Sequence, residues 1–328
     1  MNDLGGRLGD PRSPIPRSPR RRQARHPDGR LAHGFLAPSI VFLLVMTLPP
    51  FLYAIWVSFT RWQLTHPEIP QTFVGLGNYH SVLNDPDFFT ALRHSIQYTL
   101  TSVALAFLFG LGLALLVNRM KRGKGAYLTL FLMPMVTTPV VVGLLFKYLL
   151  NFNYGILNWL LETVGLSRVA FLGNPDTALW SIIGVEVWQW TPFVTLVLVA
   201  GLESLPQRLF EAAEIDGASQ LQIFRFVTLP QLKKVILIVL LIRTMDALRA
   251  FDLIFMMTKG GPGLATETLS IQAWREGFSF FNMGIGAALA LLIFYLVITA
   301  SWGLMQAAGI TRAAPQPSAS NVTTRSEG

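Results

Sequence analysis

Residues 211–230 read EAAEIDGASQLQIFRFVTLP. The stretch lies between two long apolar runs, yet it holds Glu211, Glu214, Asp216 and Arg225 and ends on Leu229-Pro230. Ala212 and Ala213 favour a helix, and their small side chains let another surface come close. Gly217 permits a sharp turn at the end of such a helix. Leu229-Pro230 is expected to stop and redirect the chain. The spacing predicts a short helix that starts near Gln207 and lies parallel to the membrane, with Glu211 and Asp216 exposed.

The rest of the chain fixes which side that helix faces. Of 328 residues, 52% are hydrophobic and only 13% charged, where soluble domains carry about 25% charged residues. An ordinary soluble fold is excluded, and an all-α membrane protein is expected. Six segments have the roughly 20 apolar residues that cross about 30 Å of hydrocarbon: 34–59, 95–118, 127–150, 177–201, 234–257 and 282–306. Basic residues mark the cytoplasmic loops. They crowd the segment before span one, the loop after span two (Arg119, Lys121, Arg122, Lys124) and the loop after span four (Arg208, Arg225, Lys233, Lys234). Both termini are therefore expected inside, and residues 211–230 face the cytoplasm. On the other side, 60–94 and 151–176 have room for short interfacial helices, one of them carrying Leu157, Trp159, Leu160, Leu161 and Val164. Lys259-Gly260-Gly261-Pro262-Gly263 reads as a turn after span five.

The net charge of +8 is uneven. Arg7, Arg12, Arg17, Arg20, Arg21, Arg22, Arg25 and Arg30 share a proline-rich stretch with few large apolar residues, which reads as disordered. No nucleic-acid-binding fold follows it, so it is expected to anchor span one from the cytoplasm. It is not expected to be a cleavable signal, because the apolar run behind it is too long. The expected domains are a basic cytoplasmic tail (1–33), a six-span domain (34–306) and a flexible cytoplasmic tail (307–328).

Catalytic signatures are missing. The chain has no G-x-x-x-x-G-K-[ST] loop, no H-E-x-x-H and no G-x-S-x-G. It has no cysteine, and its five histidines are scattered without metal-ligand spacing. No catalytic residue, metal site or cofactor is expected in this chain, and uphill transport would draw on a partner or an ion gradient.

Polar residues inside spans mark a candidate solute path, because a charge at mid-bilayer costs about 2.5–3.5 kcal/mol on insertion scales. Arg243, Asp246, Arg249 and Asp252 alternate in sign at three-residue spacing in span five, which permits pairing along one helix face. The ladder reads either as self-neutralising or as lining a path. Span four offers Glu186, Gln189, Trp190 and Thr191 before Pro192, and span three offers Pro134, Thr137, Thr138 and Pro139. Tryptophan beside amides and hydroxyls suits sugars, whose apolar faces stack while their hydroxyls need partners. Near a span's outer half it is also an interface anchor. The pathway candidates are Gln189, Trp190, Thr191, Thr137, Arg243, Asp246 and Arg249. Gly284, Gly286, Ala288 and Ala290 give span six a small-residue packing face.

The opening stretch also resembles the cytoplasmic loop of bacterial ABC importer permeases. Glu211-Ala212-Ala213, three residues, Gly217, nine residues and Val227-Thr228-Leu229-Pro230 match that loop's spacing, with valine where isoleucine is commoner. Phe73-Val74-Gly75-Leu76-Gly77-Asn78-Tyr79, Thr191-Pro192-Phe193, Ala200-Gly201-Leu202, Ile215-Asp216-Gly217-Ala218 and Thr258-Lys259-Gly260-Gly261-Pro262 are similar to the maltose-type sugar importers, first-permease branch. The resemblance covers roughly 34–306. It implies that the loop helix couples to an ATPase, with Glu211, Ala212, Ala213, Asp216, Gly217, Leu229 and Pro230 at the contact. It further implies a second homologous permease, an ATPase dimer that binds ATP and magnesium, an extracytoplasmic solute-binding protein and a bacterial inner-membrane location among lipid. The chain lacks the large insertion of the maltose permease itself, having only about 35 residues between spans one and two. That departure leaves a glycerol-phosphate, polyol or sulfonated sugar derivative open beside a sugar. A membrane-embedded enzyme would need converging carboxylates or histidines near one interface, and the sequence offers none.

Overall fold

The computed structural model describes residues 29–66, 68–120 and 122–308. The predicted tails fall outside them at 1–28 and 309–328, while residue 29 already belongs to a helix. In chain order the helices are α1 (Gly29–Ser58), α2 (Gly77–Leu83), α3 (Pro86–Asn118), α4 (Lys124–Phe131), α5 (Met133–Val136), α6 (Pro139–Leu149), α7 (Ile156–Thr163), α8 (Pro175–Glu203), α9 (Gln207–Ile215), α10 (Gln220–Gln222), α11 (Leu229–Leu248), α12 (Asp252–Met257), α13 (Leu269–Trp274) and α14 (Met283–Ala307). π-turns occupy Ile223–Thr228 and Arg275–Ser279, and a two-stranded ribbon joins β1 (Thr60–Arg61) to β2 (Thr72–Phe73). The chain divides into two units, 1–52 and 53–328. The first is the apolar body of α1; all packing described below lies in the second.

Among the described residues, four helices are long and apolar enough to cross a membrane: Leu36–Ser58 of α1, α3, α8 and α14. The pair α4–α5 and α6 adds a fifth if counted as one span, but it turns by 88° between Val136 and Pro139. The single helix expected over 127–150 is therefore replaced by a broken one. Pro139 drives Thr138 out of the helical region, to φ −62° and ψ 141°. The helix expected over 234–257 is broken as well. It ends at Leu248, passes through Arg249–Phe251, and restarts at Asp252. Its first part, α11, carries Lys233, Lys234, Arg243 and Asp246, which lower its apolar character.

The core is built on α3 against α8. In lipid, apolar burial gives helices little reason to associate, so close packing of small residues takes over. Ala106, Gly110 and Ala114 make a small stripe along α3, all buried, and Val194 and Leu198 of α8 share that apolar cluster. A Cβ on Gly110 would lie 2.6 Å from Val194 Cγ1 and 2.7 Å from its Cβ. Gly110→Ala is therefore expected to force α3 and α8 apart, costing about 1–3 kcal/mol; unfolding of the purified protein in detergent would read the loss, and an unchanged midpoint would place the helices further apart. The helices that follow the two breaks meet: a Cβ on Gly143 of α6 would lie 2.8 Å from Met256 Cβ of α12. Gly286 of α14 comes as close to Gly277, where an added Cβ would sit 2.9 Å from its Cα, so the small face read in span six is used for packing.

The Phe73–Tyr79 segment has a local task. Asn78 Nδ2 donates to the carbonyls of Ser58 and Thr60, both at 2.8 Å, satisfying backbone acceptors just past the end of α1. Tyr79 reaches back to Ser58, hydroxyl to hydroxyl at 2.8 Å.

Candidate functional site

The loop helix forms where the sequence places it. α9 begins at Gln207 after Pro206 and closes with a Schellman arrangement. Ala218 N donates to Ala213 O at 3.0 Å and Gly217 N to Glu214 O at 3.1 Å, with Gly217 at φ +78°. Ser219 and Gln222 then cap each other: Ser219 N donates to Gln222 Oε1 at 2.7 Å, and Gln222 N to Ser219 Oγ at 3.4 Å. Leu229-Pro230 does not stop the chain. The π-turn Ile223–Thr228 runs directly into α11, where Pro230 is the second residue.

Glu211, Ala212, Asp216, Gly217, Leu229 and Pro230 are exposed and Ala213 is half-buried. Around them, Ile215 is 87% exposed, Leu221 74% and Phe226 68%. Three large apolar side chains standing open around a short acidic helix are the composition of a contact surface.

The charges of α11 pair both across helices and along their own. Arg243 on α11 is 1% exposed, and its Nη2 donates to Glu186 Oε1 of α8 at 2.5 Å. Its guanidinium lies 4.3 Å from the centre of the Trp190 ring, a cation–π contact strengthened by the burial of Arg243. Asp246 stands 3.8 Å from Arg243 and takes a 2.6 Å hydrogen bond from Arg249. Fully buried Tyr98 of α3 lies against Glu186. The pairing expected along one helix face is present from Arg243 through Asp246 to Arg249, but it does not act alone and does not extend to Asp252. Arg243 is neutralised mainly by Glu186, 57 residues away, Arg249 is the exposed end of α11, and Asp252 opens a separate helix.

Of the other pathway candidates, Gln189 and Thr137 are brought together: Gln189 Nε2 donates to Thr137 O at 3.0 Å, the carbonyl next to the bend before α6. Gln189 is fully buried, and its Oε1 has no protein partner. Thr191 is buried too, its hydroxyl donating to Val187 O at 2.6 Å. No described contact links the loop residues to these mid-span groups, so there are two sites joined by α8 and α11.

A third polar cluster was missed by sequence reasoning, because its members come from separate elements. After the turn at 259–263, buried Glu267 pairs with Arg275, which stands 3.8 Å from Asp87 of α3. His94 Nδ1 meets Glu267 O at 3.2 Å, and Leu269 N donates to Ser95 Oγ at 2.9 Å. Burial pushes the Glu267 carboxyl from the usual 4.5 up to about 7, with Arg275 opposing and Asp87 and Glu276 reinforcing the rise. The folded loop therefore holds a proton that the unfolded chain releases. Its contribution to stability is complete below pH about 4.5 and is lost as pH rises through about 7. The melting midpoint is expected to fall between pH 5 and pH 8, and Glu267→Gln to remove that part of the fall; an identical pH profile in the variant would exclude Glu267 as its source.

Comparison with known proteins gives the family. The family model described as binding-protein-dependent transport system inner membrane component matches residues 106–312, which include α8, the loop helix and α11. The trehalose/maltose transport system permease of Thermococcus litoralis is 37% identical over 278 residues, covering 84% of this chain and 92% of that relative. The trehalose transport system permease of Mycobacterium tuberculosis is 36% identical over 295 residues, covering 90% and 94%. The sulfoquinovosyl glycerol transport system permease of Agrobacterium fabrum is 34% identical over 269 residues, covering 82% and 87%. In fold, the chain matches one from a bacterial ABC transporter that imports the acidic polysaccharide alginate, with a TM-score of 0.75 at 22% identity, covering 87% of this chain and 96% of that one. A loop helix between two long helices, several helices apolar enough to cross a membrane, and relatives matched over nearly their whole length converge: the chain belongs to the binding-protein-dependent transport system inner membrane component family.

Proposed function

We propose that this chain is one of two homologous permease subunits of an ATP-driven importer for a sugar or sugar-like solute. The observation that carries the proposal is α9, a capped helix with exposed Glu211 and Ala212 and an open apolar rim, set between α8 and α11 in a chain of this family. α9 docks on a separate ATPase dimer, which binds the ATP and magnesium; this chain is a transport component and not the enzyme. An extracytoplasmic binding protein delivers the solute. A solved alginate transporter in complex with a periplasmic protein that holds an alginate pentasaccharide is similar in fold, and this supports such a partner.

In this reading α11 with α12 is the fifth span and α14 the sixth, both termini are cytoplasmic, and the membrane is a bacterial inner membrane. Residues 34–306 form the transport domain between cytoplasmic tails 1–33 and 307–328. The solute path passes the two broken spans. Discontinuous helices expose carbonyls that intact helices hide, and transporters use them at their sites. Thr137 and Gln189 flank one break; Asp246 and exposed Arg249 flank the other. Movement of α9 reaches both breaks because Arg243 and Glu186 tie α11 to α8. The test is purification from native membrane in mild detergent with co-purifying proteins identified: an ATPase and a second permease are expected, and a chain that comes down alone overturns the proposal.

A further inference from the structure

We propose that the cavity behind α9 is a regulatory site for a phosphate-bearing sugar. This cavity, about 680 Å³, opens between the ends of α3 and α8 on one side and α9 with residues 220–228 on the other. That volume lies within the roughly 300–1,000 Å³ of small-molecule sites. Its lining is neither a plain apolar groove nor a charged surface. Phe210 and Phe224 offer aromatic faces, and Gln207 and Gln220 offer side-chain amides that make no hydrogen bond among the described residues. Two charges line it, Arg119 and Glu203. Glu203 is already neutralised by Lys124 at 2.5 Å, whereas Arg119 has no ion-pair partner among the described residues. The cavity is thus left with one uncompensated guanidinium beside stacking rings and amides.

Each component selects chemistry. Aromatic rings take the apolar face of a pyranose, and amides exchange hydrogen bonds with its hydroxyls. A free guanidinium at the rim takes a phosphate bidentately. A neutral sugar leaves Arg119 unpaired, and inorganic phosphate leaves the rings uncovered. The consequence for transport rests on the reading of α9 as the ATPase lever. A ligand here bridges α9 to the span ends and favours whichever lever position closes the cavity around it. The reaction class that supplies such a ligand is phosphorylation of a sugar in the cytoplasm, so the site reports on the fate of imported solute.

The experiment uses the assembled complex in phosphatidylcholine nanodiscs, reading thermal shift and ATPase rate with glucose 6-phosphate, trehalose 6-phosphate, glucose, trehalose and inorganic phosphate. A sugar phosphate is expected to raise the melting midpoint and change the ATPase rate, with the free sugars and phosphate weaker by about tenfold to a hundredfold. Arg119→Gln is expected to abolish the response, and Gln220→Trp, which fills the cavity and keeps the charge, to abolish it as well. Arg122→Gln, outside the lining, is expected to retain it. No shift with any sugar phosphate overturns the proposal. Equal potency of inorganic phosphate reduces the site to an anion contact and also overturns it. Loss of the response on adding phosphatidylglycerol, with the same shift from that lipid alone, assigns the cavity to a lipid headgroup instead. The thermal shift does not depend on ATPase coupling. A sugar-phosphate shift without any effect of Glu211→Arg therefore refutes the lever and leaves the site standing.

Discussion

Arg243→Leu is expected to lower the unfolding free energy by about 3–5 kcal/mol, the usual cost of removing one member of a buried ion pair. Arg243 is 1% exposed and the side chain of Glu186 is 6% exposed, so neither can turn to water. Deleting the guanidinium leaves the Glu186 carboxylate without its 2.5 Å donor. It also removes the cation held over Trp190, worth about 2 kcal/mol where water is excluded. The double variant Arg243→Leu with Glu186→Leu removes both charges and is expected to recover most of the loss, since apolar replacements of buried pairs are often neutral or stabilising. Unfolding of the four proteins of this cycle, followed in one detergent, checks both statements. A single variant within about 1 kcal/mol of wild type would mean that the pair is solvated in the assembled transporter. The double variant also decides between the two readings of the span-five charges. Recovered folding with normal uptake makes the pair a structural tie, and recovered folding without uptake makes it part of the transport cycle.

Glu211→Arg is expected to abolish ATP-driven uptake while the chain still folds and retains its sibling permease. Glu211 is exposed on α9 and makes no ion pair among the described residues, so nothing inside the protein depends on it. Arginine is also a good helix former. The resemblance to importer permeases implies that this glutamate meets a basic residue of the ATPase. Reversing its charge sets two cations against each other at a desolvated contact, where loss of one partner alone costs about 2–5 kcal/mol. That corresponds to an affinity loss of about thirtyfold to several thousandfold. Glu211→Gln keeps the shape without the charge and is expected to fall between the two. Co-purification of the ATPase and uptake in proteoliposomes are the readouts. If Glu211→Arg retains both, α9 is not the coupling contact.

The loop was legible because its determinants are local. Gly217 at the left-handed position and the small residues Ala212 and Ala213 act within one or two turns, and the Ser219–Gln222 box, equally local, was there to be read. The apolar spans were legible because lipid demands an unbroken run of suitable length. The α3 stripe of Ala106, Gly110 and Ala114 carried the same small-residue signal that was read in span six, and a search of every span at four-residue spacing would have found it. Pro139 and Pro134 announced a disturbance in span three, but a proline does not state the angle of a break. The interruption at Arg249–Phe251 carries neither proline nor glycine. Nothing local predicted it.

The sequence by itself determined the membrane class, the long apolar helices that the structure keeps whole, the loop helix and the family resemblance. Each of these rests on periodicity, run length or motif spacing, which are properties of neighbouring residues. Only the tertiary structure decided that Arg243 answers to Glu186 and Trp190, that α6 and α12 meet after two helix breaks, and that Glu267 is buried against Arg275. Those contacts join residues from separate elements, 57 positions apart for Arg243 and Glu186, and more for Gly143 of α6 against Met256 of α12. A low-dielectric interior makes each buried charge seek a partner, but the packing of the helices decides which partner lies within reach.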